Sequence, residues 1–123
     1  MDRHRAAFPG DERGVRTARA WLWGHLDGHR RADDIALVAA ELAANAMRHT
    51  ASQGWLFALS IEHEEAGTRI TVEDLGGDTK PELHAVDEET MHGHGLALVD
   101  ALSDVWGSDG DCNGRDVWAW WDA

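Results

Sequence analysis

Between Asp33 and Thr50 the chain reads DDIALVAAELAANAMRHT. A helix advances about 100° per residue, so this spacing sorts the stretch into faces. Ile35, Val38, Leu42 and Ala46 share one sector, the apolar stripe of a helix packed on a sheet. Glu41, Asn45 and Arg48 recur at i, i+4 and i+7 on the adjoining sector. Polar groups at the margin of a buried stripe are costly unless something pairs with them, and this edge is therefore where chemistry is expected.

The remaining pattern predicts an edge strand over His4 to Phe8, stopped by Pro9-Gly10. A first helix runs from Asp11 to about Leu26, with Asp11 as N-cap, Glu12 in the first turn, and Val15, Ala18, Leu22 and Leu26 as its stripe. Asp33 or Asp34 caps the second helix. After a loop at Ala51 to Gly54, Trp55, Phe57, Leu59 and Ile61 alternate with Ala58, Ser60 and Glu62, the period of a half-buried strand. A turn at Glu64 to Gly67 leads to Ile70, Val72 and Asp74 alternating with Arg69, Thr71 and Glu73, which completes an antiparallel hairpin. Asp74 thus shares the inward face and precedes Leu75-Gly76-Gly77. Asp78 to His92 is polar and acidic, a loop of the length that commonly forms a lid or binding loop.

Gly93-His94-Gly95 opens a third helix, with Leu96, Val99 and Leu102 facing inward. A second hairpin pairs Val105 to Ser108 with Arg115 to Trp121 around the turn signal Asn113-Gly114. The order helix, helix, hairpin, lid, helix, hairpin predicts an α+β fold, a two-layer sandwich with helices covering one face of a mixed, mostly antiparallel sheet.

The 123 residues suit a single domain, residues 1–123. The 23 acidic and 11 basic residues give a formal charge of −12, which argues against a nucleic-acid partner. One cysteine, Cys112, cannot form an internal disulfide, and the opening MDRHRAAFPGDERG lacks a signal-peptide core. No apolar run approaches the roughly 20 residues of a membrane span. A cytoplasmic protein without membrane contact is expected. Seven tryptophans are heavy usage; Trp55, Trp106 and Trp118 are expected in the core. Trp120 and Trp121, adjacent on one strand, cannot both face inward.

Three stretches in this order, AELAANAMRHT, VEDLGG and HGHGLALV, resemble the nucleotide-binding boxes of the GHKL ATPase superfamily. The FPG opening, the NAxRH form of the first box, and the closing stretches Asp104–Gly107 and Gly114–Ala119 are similar to those of the small anti-sigma-factor serine kinases of actinobacteria. The resemblance covers Phe8 to Trp121. It implies an ATP- and Mg²⁺-dependent serine/threonine kinase that acts on a STAS-domain anti-anti-sigma protein, holds a sigma factor, or both. It also admits a homodimer. The alternative is a non-catalytic nucleotide-binding partner-switching module or scaffold.

On this resemblance Glu41 matches the general base and Asn45 the Mg²⁺ ligand, an amide oxygen suited to a hard cation. Asp74 matches the carboxylate that reads the adenine amine. Gly76 and Gly77 would let the base approach the backbone. Gly93, Gly95 and Leu96 would place a helix N-terminus at the phosphates. Arg48, His49, His92 and His94 would lie near the phosphates, the two last as lid residues, since two ligands on a loop are too few for structural zinc. One position departs from the pattern: relatives commonly carry threonine where Asp116 stands. On that correspondence Asp116 would sit beside Asp74 and weaken ATP binding by repulsion.

Overall fold

A computed structural model describes residues 2–48, 56–76, 94–111 and 114–123. Among the described residues five strands, β1 (Asp2–Pro9), β2 (Leu56–His63), β3 (Gly67–Gly76), β4 (Val105–Asp111) and β5 (Gly114–Asp122), form one sheet ordered β1-β2-β3-β5-β4. Every pairing is antiparallel. Helices α1 (Glu12–Trp23), α2 (Ala32–Arg48) and α3 (His94–Leu102) cover one face: α1 lies over β1, α2 over β3 and β2, and α3 over β4. The two-layer α+β sandwich is the expected one.

The core sits between the layers and follows the two periodicities. From β2 and β3 come Phe57, Leu59, Ile61, Ile70 and Val72, and from α2 come Ile35, Val38 and Leu42, all buried. Ala36, Ala39 and Ala43 bury the flanks of α2, and their small side chains let it lie between α1 and α3. Asp11 caps α1 as expected, its carboxylate accepting from the Gly14 amide at 2.7 Å. Gly14 is required there because a Cβ would run into the Pro9 backbone.

Two boundaries differ from the sequence reading. α1 ends at Trp23, not Leu26. Successive i→i+3 turns, His25 N–H to Leu22 O and Leu26 N–H to Trp23 O, carry the apolar stripe past the helix and still bury Leu26. α2 begins at Ala32, so Asp33 and Asp34 lie in its first turn rather than at its cap. Both acids still suit the positive end of the helix dipole.

Among the described residues the opposite face of the sheet carries no helix, yet Ala58 and Ser60 on it are buried. Arg5 on β1 reaches across β2 to Glu73 on β3, Nε to Oε1 at 3.1 Å and Nη2 to Oε2 at 3.2 Å, and roofs them over. Arg69 stacks on Trp118, 4.5 Å from the ring centroid. Trp118 therefore lies half-buried on this open face and not in the core. Its ring fills the space over Gly107, where a Cβ would come within 2.7 Å of Cζ2. Trp120 lies on Gly67 in the same way and donates from Nε1 to Asp122 at 2.9 Å. Trp121 is the inward member of the pair, fully buried, and donates to the Leu102 carbonyl. Trp106 is half-buried and donates to Asp100, while Trp55 lies outside the described residues.

Candidate functional site

The poles of the sandwich are fixed by a few contacts. Arg31, just before α2, donates through Nη2 to the Leu102 carbonyl at the end of α3, 3.0 Å away. Trp121 donates to that same carbonyl and stands opposite Thr68 at the start of β3. So α2 and β3 begin where α3 ends. At the other pole α2 ends at Arg48, β3 ends at Gly76 opposite Leu56, and α3 begins at His94.

Most of the candidate residues fall on that second pole or lead to it. Glu41 and Asn45 lie one turn apart on the C-terminal half of α2, both half-buried beside the fully buried Val38 and Leu42. Asp74 is half-buried on the inward face of β3, opposite Phe57. Asn45 and Asp74 are each engaged with neighbouring groups, which offsets the cost of holding polar atoms at the core margin. Arg48 closes α2, and His94, Gly95 and Leu96 form the first turn of α3. His49, Gly77, His92 and Gly93, with the expected lid at Asp78 to His92, lie outside the described residues.

The end of β3 carries a feature that alternation alone did not show. Gly76 stands opposite Leu56 and Asp74 opposite Phe57, so Leu75 is an extra residue with no partner across the ladder. Such a bulge bends its strand and re-aims the side chains beside it, and bulges concentrate near functional sites. The LGG sequence is the signal that could have pointed to it, because glycine in a strand often marks a bulge.

Asp116 is not where the motif comparison put it. Glu73 pairs with Asp116 and Val72 with Val117, and residues directly opposite share a face. Asp116 therefore lies with Glu73 and Trp118 on the open face, while Asp74 belongs to the helix-covered face. Its charge acts on Arg5, whose pKa is raised first by the hydrogen bond to Glu73, then by the Glu73 charge, with a smaller push from Asp116. The expected repulsion of Asp74 by a neighbouring Asp116 is removed by this register.

The donor set fits a nucleotide carrying a hard cation. An amide oxygen (Asn45) and two carboxylates (Glu41, Asp74) come from two elements that converge on one pole, near the start of a third helix. Among the described residues no cluster of three His, Cys, Asp or Glu side chains could hold a metal by itself. A cation bound here would need oxygens from a ligand and water, the usual habit of Mg²⁺ with phosphates.

Comparison with known proteins agrees. The solved RsbU and RsbW domains of Rv1364c from Mycobacterium tuberculosis superpose on the chain with a TM-score of 0.68 at 19% identity. The match covers 98% of this chain and 32% of that one, so the chain spans about a third of that protein's length. No curated protein sequence matches. The sequence profile of the histidine kinase-like ATPase domain aligns with residues 8–121, nearly the whole sandwich and all three polar boxes. The chain belongs to the histidine kinase-like ATPase domain family.

Proposed function

We propose that this domain is an ATP- and Mg²⁺-binding regulator of the anti-sigma-factor kinase type, a single folding unit acting in the cytoplasm on transcription. Its protein partners would be a STAS-domain anti-anti-sigma protein, a sigma factor or both, with a homodimer as the working assembly. Neither nucleic acid nor membrane is a partner in this reading: the formal charge is −12, and no helix among the described residues is long and apolar enough to cross a membrane.

The observation that carries the proposal is the convergence on one pole. The half-buried Glu41 and Asn45 on α2, the bulged end of β3 bearing Asp74, and the start of α3 meet there. Asp74 would accept a hydrogen bond from the exocyclic amine of adenine; guanine presents a carbonyl oxygen at that position. Gly76 and Gly77 would admit the base. Asn45 would hold Mg²⁺ through its amide oxygen, the cation supplying charge neutralisation between phosphates. The start of α3, His94 to Leu96, together with His92 and Gly93 just before it in sequence, would offer amide N–H groups and the positive end of the helix dipole to the phosphates. Arg48 and His49 would add positive charge nearby.

Glu41, one turn before Asn45, would take the proton from the hydroxyl of an incoming serine. The register of Asp116 turns its carboxylate to the face away from Asp74, which supports ATP binding at this pole.

The test is transfer of label from γ-labelled ATP to a STAS-domain protein in the presence of Mg²⁺. The wild type should label a partner serine. Glu41→Gln should bind ATP and fail to transfer. Retained ATP binding without transfer by the wild type would reject the kinase step and leave the nucleotide-binding assignment standing.

A further inference from the structure

The pole opposite the nucleotide-facing one carries four histidines with no part in the proposed site. His4 on β1 stacks on His25, with ring centroids 4.2 Å apart, and Trp21 on α1 meets His25 edge-on at 4.7 Å. His29 lies in the connection between α1 and α2, and His63 ends β2, with ring centroids 6.1 Å apart. Thr68, buried at the start of β3, joins these last two.

The hydrogen bonds determine where each proton sits. The Arg31 amide donates to His29 Nδ1 at 2.9 Å, so Nδ1 holds a lone pair and the ring proton is on Nε2. Nε2–H then donates to Thr68 Oγ1 at 2.9 Å. His63 Nε2 lies 3.0 Å from the His25 carbonyl, which only accepts, so that nitrogen carries the proton. His63 Nδ1 is left to accept the Thr68 hydroxyl proton at 3.3 Å. With both rings neutral the chain Arg31 N–H, His29, Thr68, His63, His25 C=O is complete.

We propose that the His29–Thr68–His63 chain is a pH-sensitive latch that fastens the α1–α2 connection to the sheet, and that acidification releases it by placing a proton on His29 Nδ1. That proton comes from solvent and points directly at the Arg31 N–H, setting donor against donor. His63 does not trigger the release, because after its protonation the Thr68 oxygen can turn and accept from both rings.

The surroundings match this assignment. The charged groups acting on His29 are His63 on β2 and Arg30 and Arg31 in its own connection; all three oppose its protonation, and burial opposes it more strongly still. Asp34 on α2 is held by Arg31 Nε at 2.9 Å, and Asp27, within the connection itself, is exposed. On β3 the contact is the neutral Thr68, and His4 on β1 acts through His25. Arg31 also grips the Leu102 carbonyl, so the latch bears on the start of α2 and the end of α3 together. This inference is independent of the nucleotide reading.

The test is NMR on the full chain across about pH 7.5 to 5.5, following the His29 ring nitrogens and the exchange of the Arg31 amide corrected for its intrinsic rate. The wild type should show the Nε2–H tautomer at neutral pH, and a loss of Arg31 protection that grows by up to about tenfold per pH unit as pH falls toward the point where His29 titrates and levels off below it. In His29→Asn the side-chain oxygen can still accept from the Arg31 amide but takes no proton, so protection should not change with pH. A wild-type ring protonated on Nδ1 at neutral pH, or an equal loss of protection in His29→Asn, would overturn the latch. The tautomer needs only the wild type and stands even if the variant does not fold.

Discussion

Asp116 stands directly opposite Glu73 on the open face of the sheet, one sheet thickness away from the side that Asp74 shares with the helices. That relationship decides which of the two carboxylates can influence a nucleotide. Asp74→Asn should weaken ATP binding by about ten- to a hundred-fold, the weight of a hydrogen bond to a charged group. Asp116→Thr should leave ATP binding within about twofold of wild type, since its side chain leaves the sheet on the face away from Asp74. Titration calorimetry on the two variants separates them.

Asp116 and Glu73 meet around Arg5, and the roof over Ala58 and Ser60 depends on that arginine. Arg5→Ala should cost about 1 kcal/mol, through loss of a part-exposed bidentate pair and of the cover from its aliphatic stem. A urea unfolding curve should show a lower midpoint with unchanged slope, and nucleotide affinity should not move.

Gly67 tests the packing of the same face at its far end. A Cβ there would meet the Trp121 carbonyl oxygen and the Trp120 ring, which comes within 2.6 Å at Cζ2. Gly67→Ala should therefore destabilise the fold by about 1–3 kcal/mol, the usual cost of overpacking. Thermal unfolding followed by tryptophan fluorescence measures it.

Stability should also fall with acid. His25 is held below the usual imidazole value of 6.5, first by burial and then by His4 and His63; His29 is held down by burial, then His63, Arg30 and Arg31. With folded pKa values below the unfolded ones, the unfolded chain binds more protons in the window between them. Their contribution is thus fully present above pH 6.5 and is lost as pH falls through the folded values. Denaturation midpoints should drop from about pH 7 to 5.5, and a rise over that range would contradict the assignment.

The period of the apolar residues carried most of the architecture. Ile35, Val38 and Leu42 at helical spacing, and Phe57, Leu59 and Ile61 at strand spacing, are the buried residues expected, because each element has only one face to bury. The end of α1 misled because turns of the i→i+3 kind continue the same stripe to Leu26. The face of Asp116 depended on register, which a single-residue shift reverses. Trp118 looked like a core residue by size, but it alternates along β5 with the buried Ala119 and Trp121 and so lies on the other face, over Gly107. The polar edge of α2 was visible in the spacing of Glu41 and Asn45. The bulge at Leu75 was marked only by the glycines after it, since its position exists in the pairing with β2.

The measurement that bears most directly on the central claim is calorimetric binding of ATP and GTP, each with and without Mg²⁺, to the wild type and to Asn45→Ala and Asp74→Asn. ATP should bind at least about tenfold more tightly than GTP, with Mg²⁺ strengthening the complex. Asn45→Ala should lose the Mg²⁺ increment and Asp74→Asn the preference for adenine, while both remain folded by circular dichroism. Equal binding of ATP and GTP by the wild type, or no binding of ATP at any Mg²⁺ concentration, would contradict a nucleotide site built from α2, β3 and α3.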